Sequence, residues 1–108
     1  LAAAEQLAKE HIAARVVKLN CAAPLDMDTV CAALDGARRL VVLEDQLRQC
    51  CVGQRLAAAL LERGAAPEKL RLLNAGEILP AQGSVEQLYR ALGLDADGVS
   101  AAVREVLA

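Results

Sequence analysis

The stretch Arg39–Arg63, RLVVLEDQLRQCCVGQRLAAALLER, decides how the rest of the chain is read. It opens on Leu40, Val41, Val42 and Leu43, an apolar run without alternation. A short run of that kind, rich in β-branched residues, suits a strand covered on both faces, as in a parallel sheet. Acid follows at Glu44 and Asp45, then a polar loop with Cys50 and Cys51. Gly53 leads into a helix over Gln54–Arg63 that carries Leu56, Leu60 and Leu61. Strand, loop and helix in that order are the unit of α/β domains. Ligands of such domains gather at the carboxyl ends of the strands. Glu44 to Gly53 is therefore the first place to look for function.

Upstream, Leu1–Glu10 has a helical pattern with Ala4, Leu7 and Ala8 on one face, and His11 follows as a surface or cap residue. Ala14–Leu19 offers Val16, Val17 and Leu19 as a strand. Asn20–Asp26, NCAAPLD, is a strand-end loop, in which Pro24 disfavours helix at Ala23. Asp26 predicts an N-cap, and Met27, Val30, Cys31 and Leu34 share one helical face until Gly36. Downstream, Gly64 and Pro67 mark a turn, and Lys69–Leu73 is a third strand. Asn74–Gly83 is a loop. Ser84 with Gln87 predicts a capping box for a helix that buries Val85, Leu88, Tyr89 and Leu92 and ends at Gly93. Asp95 or Asp97 caps a last helix with Val99, Ala102, Val103, Val106 and Leu107 on its apolar face. The predicted fold is α/β, a three-layer α/β/α sandwich on a mostly parallel sheet.

With 108 residues the chain is about one domain long. Its single aromatic, Tyr89, leaves Leu, Val and Ala to build the core. A net charge of -2 without a basic run or aromatic platform argues against nucleic-acid binding. No apolar stretch approaches the roughly 20 residues of a membrane helix, and no signal peptide is visible, so a cytoplasmic protein is expected. Cys21, Cys31, Cys50 and Cys51 lack metal-ligand spacing and read as reduced structural thiols. Opening at Leu1, inside a helical pattern, the chain reads as a fragment of a longer protein.

No single motif is a catalytic signature. Glu44 and Asp45 stand where acids often act, and also where acids simply end strands. Cys50 and Cys51 would be reactive near a helix N-terminus; packing under a loop is the plainer reading. Gly53 marks a close backbone approach.

Together the segments resemble the C-terminal domain of transketolase-like enzymes. The resemblance rests on PLD at Pro24–Asp26, the strand ending in Glu44 and the loop with Gly53. The tail LGLDADGVSAAVREVL, Leu92–Leu107, and QGS at Gln82–Ser84 resemble the 1-deoxy-D-xylulose-5-phosphate synthase family in particular. The resemblance implies a transferase that uses thiamine diphosphate and Mg²⁺, both bound in other, earlier domains. Such an enzyme joins a two-carbon unit from pyruvate to glyceraldehyde 3-phosphate, for isoprenoid and thiamine precursors. It implies upstream domains and a homodimer as partners, and for this domain structural support plus one edge of the substrate pocket, at Asn20, Glu44, Asp45 and Gln82. No catalytic residue is implied in the chain itself, which is expected to be inactive alone. Asn20 replaces the family's usual phosphate-facing Arg, and Cys50 and Cys51 replace a Gly pair. Those departures leave a rival reading, a non-catalytic interaction or regulatory domain of a divergent paralogue. A third reading is the C-terminal domain of a 2-oxo-acid dehydrogenase beta subunit. The family also has a strand, missing here, between the first two predicted strands. Those two must then pair directly, leave an edge open or accept a strand from elsewhere. An intertwined oligomer or a piece of a longer protein is the expected outcome.

Overall fold

A computed structural model describes residues 1–19, 25–77 and 83–108. Its elements are α1 (Ala2–Lys9), α2 (Met27–Leu34), β1 (Arg39–Leu43), α3 (Gly53–Glu62), β2 (Lys69–Leu73), α4 (Val85–Leu92) and α5 (Ala96–Leu107), with a 3-10 turn at Arg48–Cys50. β1 and β2 form a parallel two-stranded sheet in the register Leu40↔Leu70 and Val42↔Leu72. Successive side chains of a strand point to opposite faces. Leu40 and Val42 meet a core of Val30, Leu56 and Leu60 from α2 and α3. The other parity of β2 meets α5, where Arg71 lies 3.8 Å from Glu105 and Lys69 donates to the Ala108 carbonyl. α5 runs along the sheet and packs against α1. The α/β/α layering is as expected, with α2 and α3 on one side and α5 with α1 on the other.

The strand expected at Ala14–Leu19 does not form. The segment has no strand partner among the described residues, and Val16 and Val17 are 54% and 39% exposed. A strand exists only through its ladder, and a β-rich sequence without a neighbour does not supply one. Arg15 instead ties the segment to the end of α2, at the Ala33 carbonyl (3.2 Å) and Asp35 (3.6 Å). Of the three outcomes foreseen for the sheet, an open edge is the one found: among the described residues β1 pairs with β2 and no other strand. No residue of either strand is fully buried. His11 leaves α1 at φ 62° and is exposed, as expected of a residue at a helix end.

The helix ends follow the sequence closely. Asp26 accepts from the Thr29 amide (3.3 Å) and hydroxyl (2.7 Å), which lowers its pKa. Ser84 and Gln87 close the capping box. In the tail, Gly93 turns the chain at φ 71°, buried Leu94 follows, and Asp95 rather than Asp97 caps α5 through the Gly98 amide at 2.9 Å. A Cβ on Gly98 would stand 2.1 Å from the Gly93 carbonyl oxygen, so LGLDADG is a single packed corner.

Three residues expected on apolar faces are exposed, Leu61 at 71%, Val85 at 64% and Leu107 at 47%, and α4, expected to bury one face, has no fully buried residue. Ser100, absent from the expected core, is fully buried and donates to Gln6 Oε1 at 2.9 Å, joining α5 to α1.

Candidate functional site

Pairing of the two strand ends continues beyond the strands. The Glu44 amide donates to the Leu73 carbonyl (2.9 Å), the Ala75 amide to Gln46 (2.9 Å) and the Arg48 amide to Gly76 (2.8 Å). The two strand-end loops therefore leave the sheet side by side. Between the β1 end and the α4–α5 corner lies a cleft of about 340 Å³ lined by Leu43, Glu44, Asp45, Gln46, Tyr89 and Leu94. This is the carboxyl end of β1, where the sequence directed attention.

The two acids of that end do different work. Glu44 reaches across to the start of α3. Its Oε1 accepts the Val52 amide at 2.7 Å and its Oε2 the Gly53 amide at 2.9 Å. The opening amides of a helix have no partner within it, and its N-terminus favours an anion. Glu44 supplies both needs from a strand outside the helix. Gly53 permits this, because a Cβ there would lie 3.1 Å from Glu44 Oε2 and 3.0 Å from Leu72 Cδ2. The close approach read from the sequence is thus found. Asp45 stays at the exposed side of the cleft, where its Oδ2 accepts the Tyr89 hydroxyl at 3.0 Å. That hydrogen bond to the carboxylate raises the phenol's pKa.

The adjacent cysteines also diverge. Cys50 is exposed and Cys51 buried, and both are free thiols, as is half-buried Cys31 on α2. Cys51 Sγ lies 3.3 Å from the Leu47 carbonyl oxygen and 3.5 Å from that of Gln46. Desolvation, then the nearby Glu44 charge, pushes the thiol pKa up. The reading of Cys51 as a packed, protonated thiol fits this geometry. Asn20, Cys21 and Gln82 lie outside the described residues, so only Glu44 and Asp45 of the expected pocket edge are placed here. Sequence reasoning assigned Tyr89 to a helix face and passed over Gln46 and Leu94. The isolation of the one aromatic in the chain was the available signal.

The cleft presents carboxylates, an amide and a phenol, with no cationic side chain among its described lining residues. Among the described residues no three His, Cys, Asp or Glu side chains come together as a metal site. This arrangement does not fit a diphosphate with its metal. Its oxygens offer acceptors to a hydrogen-bond donor, neutral or cationic. No described helix is long and apolar enough to cross a membrane.

The chain matches the transketolase C-terminal domain family over residues 1–99. It is 36% identical over 113 aligned residues to 1-deoxy-D-xylulose-5-phosphate synthase of Anaeromyxobacter sp. (strain Fw109-5), covering 99% of this chain and 17% of that protein. The synthase of Syntrophotalea carbinolica is 32% identical, again over 99% of this chain and 17% of its own length. The pyruvate dehydrogenase E1 component subunit beta of Staphylococcus epidermidis is 40% identical over 63 residues, 58% of this chain and 19% of the subunit. The chain thus spans about a sixth of the synthases it matches. No solved structure matches it significantly. With a family match that runs from α1 into α5, and the strand-end loop and tail corner built as described, the chain belongs to the transketolase C-terminal domain family.

Proposed function

We propose that residues 1–108 are the C-terminal domain of a longer, cytoplasmic and homodimeric 1-deoxy-D-xylulose-5-phosphate-synthase-like transferase. In this reading the domain gives structural support and one edge of the substrate pocket, and is inactive alone. The observation that carries it is coverage. The synthases align with 99% of the chain, whereas the dehydrogenase beta subunit aligns with 58%. Thiamine diphosphate and Mg²⁺ belong to upstream domains of the parent, and the acidic strand-end cleft gives them no seat here. The pocket edge in this reading is Asn20, Glu44, Asp45 and Gln82, of which Glu44 and Asp45 line the strand-end cleft.

Two physical features support membership of a larger body. The chain exposes 7453 Å², against about 5,700 Å² expected of a folded monomer of its mass. Alternation along β1 also leaves the N–H groups of Arg39, Val41 and Leu43 unpaired among the described residues, because Glu44 and its parity bond to β2. An exposed parallel edge of that kind is a pairing surface.

The test is a chimera in which this chain replaces the corresponding C-terminal sixth of the Anaeromyxobacter synthase. It is supplied with pyruvate, glyceraldehyde 3-phosphate, thiamine diphosphate and Mg²⁺. Formation of deoxyxylulose 5-phosphate is the expected result. A folded, dimeric chimera without turnover would reject the synthase reading in favour of the non-catalytic paralogue, to which Asn20 in place of Arg already points.

A further inference from the structure

The N-terminus of α3 points its first amides toward the strand-end cleft, at the place where an α/β domain commonly receives an anion. Here that position is taken by a side chain of the same chain. Both oxygens of Glu44 are engaged, one on each amide, at 2.7 and 2.9 Å. The bidentate contact ties the tip of β1 to the first turn of α3 and closes the loop between them. The 3-10 turn at Arg48–Cys50 and the buried Cys51 lie inside that closed loop. We propose that Glu44 is the positioning residue of the strand-end cleft, a built-in anion that closes the N-terminus of α3 to external anions and fixes the loop that presents Asp45. The cleft then offers acceptors to a donor group of a substrate, neutral or cationic, and the N-terminus of α3 does not receive its phosphate.

The assignment of a substrate edge rests on the functional reading above; the internal anion rests on geometry alone, and its test reads no enzyme activity. Cys51 is the reporter. Its thiol packs against the Leu47 and Gln46 carbonyls, and Cys51 directly precedes the amides that Glu44 occupies. A thiol beside a bare helix N-terminus forms thiolate more readily, and a neighbouring carboxylate has the opposite effect. Desolvation first, and the Glu44 charge after it, raise the pKa of the Cys51 thiol, with the Cys50 charge adding to and Arg48 opposing them.

The experiment measures the pH profile of Cys51 alkylation by iodoacetamide, read by peptide mass spectrometry in the full chain carrying Cys50→Ser. Circular dichroism controls for folding. The parent Glu44 protein should react slowly and be indifferent to added acetate or inorganic phosphate. Glu44→Ala should react severalfold faster at neutral pH, because removing the carboxylate and baring the helix N-terminus both raise the thiolate fraction. Acetate, which replaces the deleted carboxylate, should return the profile toward that of the parent. Glu44→Gln keeps the shape and loses the charge, so it should fall between the two; it serves if the alanine variant does not fold. The proposal is overturned if folded Glu44→Gln or Glu44→Ala gives the parental profile. It is overturned equally if acetate or phosphate alters the profile while Glu44 is present, since α3 would then still accept an external anion. Failure of the synthase chimera would leave these outcomes untouched.

Discussion

The two faces of the small sheet are held in different ways. On one, α2 and α3 close over β1 with aliphatic side chains, Val30, Leu56 and Leu60 against Leu40 and Val42. On the other, α5 and α1 add to Leu7, Ala102 and Val106 a set of polar ties. These are Ser100 to Gln6, Gln6 to Asp97 at 3.2 Å, Glu10 to Arg104, and Arg71 to Glu105. Apolar burial is non-directional and tolerant of register, whereas directional hydrogen bonds, with that of buried Ser100 at their centre, fix one arrangement. The first face supplies cohesion, and the second sets the position of α1 on α5. The difference matters beyond packing, because α1 leads into the segment that failed to become a strand.

The strongest way to break the comparison is to empty the apolar face. Leu60 is 1% exposed, and Leu60→Ala should cost about 2–5 kcal/mol in urea unfolding. A loss well below that range would show that the α2/α3 face is loosely packed. Next comes the corner that sets α5. Gly98→Ala drives a Cβ into the Gly93 carbonyl and should cost about 1–3 kcal/mol in urea unfolding. An equally stable Gly98→Ala chain would mean that the tail corner shifts freely. Ser100→Ala, on the polar face, should lose about 1 kcal/mol, and amide exchange should show α1 loosening from α5 while α2 and α3 stay protected. Uniform loosening of both faces would erase the distinction drawn above.

The smallest effects are electrostatic. Hydrogen bonding to Arg104 lowers the Glu10 pKa, and hydrogen bonding to Thr29 lowers that of Asp26. A carboxyl held low in the folded state contributes stability above its unfolded pKa and loses it as pH falls through the folded value. Both contributions should therefore fade in acid, below about pH 4. Glu10→Gln should remove part of the acid dependence from the α1 side, and salt should weaken the same tether because both partners are solvent-accessible. On the alkaline side Tyr89 and Cys51 carry raised pKa values, so their contributions decline as pH rises past the ordinary phenol and thiol ranges. Urea midpoints across pH for the parent, Glu10→Gln and Tyr89→Phe test the Glu10 and Tyr89 contributions.

What was legible in the sequence follows from how local each cause is. Asp26, Ser84 with Gln87 and Gly93 act on backbone groups within a few residues and were read from their neighbours alone, while the choice of Asp95 over Asp97 as the cap of α5 needed the structure. β2 at Lys69–Leu73 and the face of α2 follow from short periodic patterns. Ala14–Leu19 was misread because its apolar pattern is as strand-like as that of β2. Whether such a segment pairs depends on a neighbour that its own residues do not specify. Leu61 and Ser100 were misplaced because the width of a buried stripe is set by the element that covers it. At the strand end, sequence located Glu44, Asp45 and Gly53, and did not separate the acid that holds the fold from the acid that faces the cleft.

By itself the sequence determined the α/β class, the helix ends, the place of the strand-end site and the family. All of these depend on local chemistry or on motif order along the chain. Only the tertiary structure decided that Glu44 binds the amides of Val52 and Gly53, that Tyr89 holds Asp45, that Ser100 lies buried against Gln6, and that β1 keeps a free edge among the described residues. Each of those depends on which residues, distant in sequence, come within hydrogen-bonding reach. That is a property of the packed arrangement as a whole and of no segment alone.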